Sequence, residues 1–238
     1  MTKTNTTSET KDYPMDKERD PKQWPARLTL KEKLQQLGIS EQEFDFYCET
    51  FVESGSMYRI KEPGSEWIIP KRNGRNIPLS RNVIAYHLLG KYWISTFSFQ
   101  ITSHLCLDLD QSPSFVRNYN AIMKWLRTPP LVFQSSASKG LHIYIFLDFK
   151  IRSEKLFKIT RHVLESKGVW VHPGACEIFP AENKSLRLPL GAESILRHPQ
   201  TLRPISTNLN EAIKYIKANL RPYPFQELFP GLARNQVT

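Results

Sequence analysis

Two aspartates, Asp108 and Asp110, stand two positions apart at the end of the apolar segment 104–110. Residues two apart on a β-strand point to the same face, so both aspartates are expected on one face and the alternating leucines on the other. The aspartate Cα atoms would lie about 6–7 Å apart, where like charges repel unless a cation lies between them. Because hard divalent cations prefer carboxylate oxygens, the pair indicates a Mg²⁺ or Mn²⁺ site. Two solvated aspartates at a strand end are the alternative.

A polar turn follows at residues 135–140 and leads into an apolar strand that carries His142. The turn offers hydroxyls from Ser136 and Ser138, an ammonium group from Lys139 and, at Gly140, backbone N–H groups without a side chain beside them. This composition is typical of a phosphate-binding cradle. Strand alternation places His142 on a face that the aspartates could share. The alternative is a polar surface turn followed by a partly buried histidine.

A third segment, residues 176–191, carries acidic and basic side chains among short apolar runs. Glu177 stands within an apolar strand, which is an unfavourable place for an isolated charge, and it could complete a three-carboxylate metal site. Lys184 and Arg187 could contact phosphates or a template backbone. The alternative is an edge strand with ordinary ion pairs, and Glu182 could then be the functional acid instead.

The elements around these segments mix helical and extended patterns, which predicts a two-layer α/β or α+β domain, and we expect the α+β class. A helix is expected to end at Gly38, and a second one is expected to begin at Ser40 with Glu43 in a capping box. Asn73-Gly74 predicts a hairpin turn between strands 66–70 and 75–79, and Ser80 is expected to cap the next helix. Further strands are predicted at 92–100, 105–110, 141–147, 175–179 and 186–190, and further helices at 112–127, 153–167 and about 210–220.

The composition of the chain indicates which kinds of partner and which cellular compartment to expect. The formal net charge of +10 over 238 residues favours polyanionic partners, because bound Lys and Arg side chains release counterions from phosphates. Three separated cysteines predict reduced thiols, without a Cys-only zinc knuckle or a disulfide framework. The chain has no apolar run of the roughly 20 residues that span a bilayer and no apolar secretion signal at its start, so we expect a cytoplasmic protein with no membrane partner.

Three regions are expected along the chain. Residues 1–25 are polar without apolar periodicity, which predicts a disordered or loosely attached arm. Residues 26–220 are expected to form the catalytic domain, and residues 221–238 a C-terminal tail or the start of a linker to a further module.

The order of the three polar segments resembles the archaeo-eukaryotic primase superfamily. That family's pattern is a hydrophobic DxD strand, a Ser-x-His-type turn and strand, and a hydrophobic strand with an acid. The corresponding segments here are 107–110, 138–142 and Glu177. The run Ser-Lys-Gly-Leu-His-Ile-Tyr at 138–144 resembles the same turn in the polymerase domains of bacterial end-joining ligases. The run Glu-Ile-Phe-Pro at 177–180 is similar to primases of plasmids, phages and defence systems, and the resemblance covers about residues 65–200.

The resemblance implies an α/β module packed against a modified RNA-recognition-motif-like antiparallel sheet. It implies a DNA primase or primase-polymerase that transfers nucleotides under template direction, with two Mg²⁺ or Mn²⁺ ions and nucleoside triphosphates. The metal ligands would be Asp108, Asp110 and Glu177. The nucleotide-binding residues would be Ser136, Ser138, Lys139, Gly140, His142 and Arg187. Expected partners are a single-stranded DNA template, a primer strand, and a helicase or other replication module on the same or another chain.

Two departures from the family pattern matter. The third acid is Glu where many members have Asp, and the chain contains neither a zinc-binding cluster nor a Walker A motif. The main alternative function is a non-catalytic nucleic-acid-binding module of a replication initiator. A metal-dependent nuclease would also use clustered carboxylates, but it needs no triphosphate cradle. A sugar transferase with a DxD motif is a further alternative, but the positive net charge of the chain would have no role in such an enzyme.

Overall fold

A computed structural model of the chain describes residues 28–52, 57–62, 64–98 and 100–232. Within these ranges there are seven α-helices: α1 (Leu30–Leu37), α2 (Glu41–Phe51), α3 (Arg81–Leu88), α4 (Phe115–Trp125), α5 (Ser153–Ser166), α6 (Leu209–Asn219) and α7 (Phe225–Leu228). The same ranges contain ten strands: β1 (Tyr58–Lys61), β2 (Lys71–Arg72), β3 (Arg75–Asn76), β4 (Trp93–Phe97), β5 (Ile101–Leu109), β6 (Leu131–Gln134), β7 (Leu141–Arg152), β8 (Cys176–Phe179), β9 (Ser185–Arg187) and β10 (Ile195–Arg197). The arm predicted for residues 1–25 lies outside the described residues. Of the helices described, none is both long enough and apolar enough to cross a membrane.

Local capping signals begin and end several helices as the sequence predicted. Ser40 caps α2 and exchanges hydrogen bonds with Glu43, which is the reciprocal arrangement of a capping box. Ser80 caps α3 by accepting the N–H of Val83. Gly38 ends α1 with a φ of 65°, a left-handed conformation that glycine adopts without steric cost.

Two antiparallel sheets make up most of the remaining fold, so the predicted α+β class is confirmed. The large sheet has five strands in the order β10-β6-β7-β5-β8, and the small sheet has three in the order β1-β4-β9. Strands β2 and β3 pair as a separate hairpin around Asn73 and Gly74. Each ladder between these named strands is antiparallel.

Each face of the large sheet contributes to a different core. Leu105, Leu107 and Leu109 of β5 pack on one face with helices α4, α5 and α7 to form the first core. Cys106, on the opposite face of β5, packs in a second core with helices α1, α2, α3 and α6 and with the apolar face of the small sheet. The predicted alternation along β5 is therefore confirmed.

Some predicted elements differ from the structure. Residues 66–70 form only a single bridge, between Ile68 and Ile60, because Pro70 has no N–H with which to extend a ladder. The hairpin strands are shorter than predicted, since only 71–72 and 75–76 pair across the turn. Strands β1, β6 and β10 were not predicted from the sequence.

The predicted boundary at residue 220 also needs correction. Tyr223, Phe225 and Phe229 belong to the segment expected to be a tail, yet they are buried in the first core. The carbonyl of Tyr223 accepts the N–H of Asp148 over 3.0 Å, and its N–H donates to Phe146 over 2.7 Å. The packed chain therefore continues past residue 220 because these aromatic side chains complete the core beneath β7.

Candidate active site

Three neighbouring strands of the large sheet bring an imidazole and two carboxylates into one row. Asp108 on β5 lies directly opposite His142 on β7 and directly opposite Glu177 on β8, and residues paired in this way point to the same face. His142 Nε2 and Asp108 Oδ1 are 3.5 Å apart. Asp110 follows two residues later, and its N–H donates to the carbonyl of Ala175 over 3.2 Å. That bond continues the alignment of β5 with β8 beyond the strand end.

Negative charge is crowded around the two aspartates. Oδ1 of Asp108 is buried and has no hydrogen-bond partner, and a buried polar atom in this state ordinarily costs free energy. Burial raises the pKa of Asp110; the charges of Asp108 and Glu177 raise it further, while His142 lowers it. A cation between the two aspartates would satisfy the unpaired oxygen and relieve the repulsion on Asp110.

Glu177 is engaged by a lysine. Lys184 Nζ donates to Glu177 Oε2 over 2.5 Å, and the two side chains are 46% and 21% exposed. Across the part of the chain that the structure describes, no three His, Cys, Asp or Glu side chains are already gathered as a metal-ligand group. Asp108 and Asp110 offer the carboxylate oxygens that a hard cation prefers, whereas Glu177 is engaged by Lys184. The alternative acid, Glu182, is exposed in a turn after β8.

The cysteines near these carboxylates are not positioned to act as thiolates. Cys106 and Cys176 are free and buried. Burial raises the pKa of Cys176 to about 12, and the charges of the nearby carboxylates contribute to the shift. Burial likewise raises the pKa of Cys106 well above its ordinary value. Both thiols therefore stay protonated at neutral pH.

The polar turn at 135–140 packs against the end of β5. The N–H of Ser135 donates to the carbonyl of Gly140 over 2.8 Å and closes the turn. A Cβ at Gly140 would lie 2.9 Å from Ser135 Oγ and 3.1 Å from the carbonyl oxygen of Leu109, and 3.7 Å from Asp110 Oδ1. A side chain at Gly140 would therefore crowd Ser135 and the end of β5, so the glycine favours this close approach of the turn to the aspartates.

The remaining polar groups of the turn divide between two environments. Ser136 and His142 line a cleft together with both aspartates. Ser138 and Lys139 are exposed and are not among the residues that line it. The hydroxyls of Ser136 and Ser138 are nevertheless only 2.6 Å apart. The predicted phosphate cradle is thus only partly gathered in the cleft.

The small sheet presents its own polar row. Arg59 on β1, Ser95 on β4 and Arg187 on β9 lie opposite one another in register, so they share one face. Arg187 Nη1 donates to the carbonyl of Ser135 over 2.7 Å, which ties this row to the polar turn. The Arg187 guanidinium also lies over the ring of Trp93, 4.9 Å from its centroid. Burial lowers the pKa of Arg187 from its ordinary value.

Residues of these two rows line a single cleft of about 260 Å³, but Glu177 is not among the residues that line it. The acidic wall comes from the large sheet and consists of Asp108, Asp110 and His142. The cationic wall comes from the small sheet and consists of Arg59, Ser95 and Arg187. The cleft is completed by Trp67, Ser135, Ser136, Phe179, Ser185 and Leu186. A wall that attracts cations and a wall that attracts anions suit a ligand that carries both, such as a metal-bound polyphosphate.

Arg59 is the main cleft residue that the sequence analysis missed. It lies in Tyr-Arg-Ile-Lys, where apolar and basic residues alternate as in a strand with one buried face. That signal was available, but four residues are too few to show which neighbour the strand pairs with. Only the pairing of Arg59 with Ser95 places its side chain across from the acidic wall.

No protein-family model matches the chain, and the curated proteins contain no match to it.

Proposed function

We propose that this chain is a template-directed nucleotidyltransferase, a DNA primase or primase-polymerase that makes or extends primers on single-stranded DNA. The observation that carries the proposal is the cleft in which the acidic wall faces the cationic wall. The arrangement of two antiparallel sheets around one cleft supports the resemblance to the archaeo-eukaryotic primase superfamily. The basic balance of the chain, with a net charge of +10, supports a nucleic-acid partner.

Asp108 and Asp110 would hold Mg²⁺ or Mn²⁺, with Glu177 as a third ligand once Lys184 releases it. When bound, such ions polarise phosphoryl oxygens and stabilise both the attacking and the leaving oxygen. The unpaired Asp108 Oδ1 and the raised pKa of Asp110 support this role, because both features favour an added positive charge.

The opposite wall would bind the anionic part of the substrate. Arg187 is held by Ser135 and by the ring of Trp93, so its guanidinium is oriented before a phosphate arrives. Arg59, Ser136 and His142 add donors around the same cleft. Lys139 would act from outside the cleft as a further positive charge.

The proposed reaction joins a primer 3′-oxygen to the α-phosphorus of a nucleoside triphosphate. The bond between that phosphorus and the bridging oxygen breaks, and pyrophosphate leaves with the bond's electron pair. The hydroxyl proton passes to water. In this scheme Arg59 and Arg187 hold the triphosphate against the acidic wall, so the two oxygens and the phosphorus can align.

One observation favours the alternative of a nucleic-acid-binding module without catalysis. The ion pair between Lys184 and Glu177 occupies the third acid, as expected if that acid has only a structural role. Binding to single-stranded DNA without any synthesis would support this alternative.

The test uses the purified chain with single-stranded DNA, labelled ribo- or deoxyribonucleoside triphosphates and Mn²⁺ or Mg²⁺, with and without a primer. The wild type is expected to lengthen the primer or to make products longer than a dinucleotide. Asp108→Asn and Asp110→Asn are expected to lose synthesis by at least about 100-fold, since metal ions supply several kcal/mol of transition-state stabilisation.

The matched control is Glu154→Gln, which neutralises an exposed carboxylate on α5 and should leave synthesis unchanged. Products formed only in primed reactions would make the chain a polymerase and not a primase. No synthesis by the wild type under any of these conditions would overturn the proposal, and shortening of the primer would favour a nuclease.

A further inference from the structure

An exposed aromatic pair lies beside the candidate active site. The rings of Trp170 and His172 are stacked with their centroids 5.1 Å apart and their planes within 15°. Trp170 is 48% exposed, and His172 is exposed as well. Single exposed apolar side chains are common, but two flat rings stacked together on the surface form a patch of the kind that contacts other molecules.

The backbone beneath the pair is held firmly. Asn118, a fully buried residue of α4, accepts the N–H of Trp170 over 3.0 Å and donates to its carbonyl over 3.3 Å. His172 forms a bridge with Cys176, with N–H to carbonyl distances of 3.1 and 3.0 Å. Two buried anchors therefore fix the position of the rings while leaving their surfaces in solvent.

The pair also borders the acidic wall. The bridge from His172 reaches Cys176, which is the residue before Glu177 and pairs with Leu109 on its other side. Ala175, one residue earlier, accepts the N–H of Asp110. The stacked rings therefore lie along the free edge of β8, at the end of the sheet where both aspartates stand.

Basic side chains stand close to the pair along the chain. The segments 111–125 and 166–176 contain no Asp or Glu, although Glu165 and Glu177 border the second segment. Both segments contribute exposed basic side chains, among them Arg117 and Lys167. Flat rings combined with positive charge are the features that bind single-stranded nucleic acid, because bases stack on the rings and phosphates neutralise the cations.

We infer that Trp170 and His172 form a stacking platform for the bases of single-stranded DNA that enters or leaves the cleft. That the DNA enters or leaves the cleft rests on the proposed function, but the binding of DNA to the two rings does not require synthesis. At least one base stacks on the exposed face of Trp170, and the phosphates beside it contact Arg117 and Lys167.

The experiment compares two labelled oligonucleotides by fluorescence anisotropy, using the full chain without triphosphates. One is oligothymidine, and the other is an abasic strand of the same length that keeps the phosphates but offers no rings. Trp170→Ala is expected to bind oligothymidine roughly 5- to 100-fold more weakly than the wild type, while its affinity for the abasic strand stays the same. Trp170→Phe keeps a flat ring and should retain most of the affinity.

The matched control is Ile101→Ala, which removes an exposed apolar side chain (54% exposed) at the other end of β5 and should not change either affinity. If Trp170→Ala fails to fold by circular dichroism, His172→Ala carries the same test with a smaller expected loss. Equal oligothymidine affinity in wild type and folded variants would overturn the inference, as would an equal loss for both oligonucleotides. Base-dependent binding without any synthesis would contradict only the proposed function, whereas synthesis with unchanged binding by the variants would contradict only the stacking platform.

Discussion

The two faces of the large sheet are built from alternate residues of the same strands. They differ in how well apolar side chains are packed and how well polar atoms are hydrogen-bonded. On one face, Leu107 and Ile143 have no exposed surface and pack in the first core. On the other face, one residue along each strand, Asp108 stands opposite His142, and its buried Oδ1 has no hydrogen-bond partner. A strand selected only for stability would carry an apolar or fully hydrogen-bonded residue at this position. A buried carboxylate oxygen without a hydrogen-bond partner, beside two further ionisable groups, is a local cost that is typical of a functional site.

Substitutions at the adjacent residues Leu107 and Asp108 of β5 are expected to differ most in their effect on the free energy of unfolding. Leu107→Ala should lower the free energy of unfolding by about 2–5 kcal/mol, because it removes buried methyl groups and leaves a cavity. Asp108→Asn should change that free energy by less than about 1 kcal/mol, because it removes a charge that repels Asp110. Urea denaturation in metal-free buffer measures both values. A loss for Asp108→Asn as large as that for Leu107→Ala would mean that Asp108 is a structural residue.

His87 is a buried histidine outside the cleft, whereas His142 is a buried histidine that lines it. His87 is fully buried between the carbonyls of Tyr92 and Pro189, at 3.0 and 3.3 Å, and burial lowers its pKa from 6.5 to about 4. Because the folded pKa lies below the unfolded one, the unfolded chain takes up the proton first as pH falls. Stability present above pH 6.5 is therefore lost between pH 6.5 and 4, by about 3 kcal/mol.

Denaturation at a series of pH values checks this prediction. His87→Gln should flatten the acid side of the stability profile, whereas His162→Gln, on the exposed surface of α5, should leave it unchanged. His104, whose pKa burial also lowers to about 4, should contribute a similar slope of its own. A profile with the same slope in wild type and His87→Gln would show that His87 does not titrate as described.

The cationic wall should respond differently from the acidic wall. Arg59→Ala is expected to raise KM for the triphosphate by roughly 10- to 100-fold, the loss of one charged hydrogen bond of about 1.5–3 kcal/mol, with a smaller change in kcat. Arg59→Lys should recover part of the loss because it keeps the charge without the planar fork. Steady-state primer extension measures both constants, with Arg161→Ala on α5 as the exposed control. An unchanged KM in Arg59→Ala would remove Arg59 from the binding site.

The smallest expected effect concerns the lysine beside the third acid. Lys184→Ala should change stability by less than about 1 kcal/mol, because half-exposed ion pairs contribute little, and should strengthen Mn²⁺ binding a few-fold by freeing Glu177. Lys158→Ala is a close control, since Lys158 pairs with Glu154 at the same distance of 2.5 Å but on an exposed helix face. Weaker Mn²⁺ binding in Lys184→Ala than in Lys158→Ala would contradict a role for Glu177 as a ligand that Lys184 restrains.

The features that could be predicted from the sequence are those that depend on residues close together in the chain. The caps at Ser40 and Ser80 and the alternation along β5 were predictable, because each depends on residues within a few positions. The placement of His142 on the same face as Asp108 also follows from alternation once the two strands pair. The pairing itself, and the position of β8 on the other side of β5, depends on contacts between distant parts of the chain.

The features of the site that could not be predicted also depend on contacts between distant parts of the chain. Arg59 faces the cleft only because β1 pairs with β4 and β4 pairs with β9. Nothing in residues 138 and 139 themselves indicates that their side chains lie outside the cleft, since the orientation of the turn is set by its contact with Leu109 and Asp110. An edge strand with ordinary ion pairs is one alternative for the segment 176–191, but the sequence contains no signal that selects Lys184 as the partner of Glu177.

The proposed divalent-cation site at Asp108 and Asp110 is tested most directly by Mn²⁺ titration, followed by the electron paramagnetic resonance signal of the free ion. The wild type and Glu154→Gln are expected to bind Mn²⁺ saturably and alike. Asp108→Asn and Asp110→Asn should each weaken that binding by at least about tenfold, since each removes a charged oxygen ligand. Saturable binding of equal strength in all four proteins, or none in the wild type, would contradict the claim.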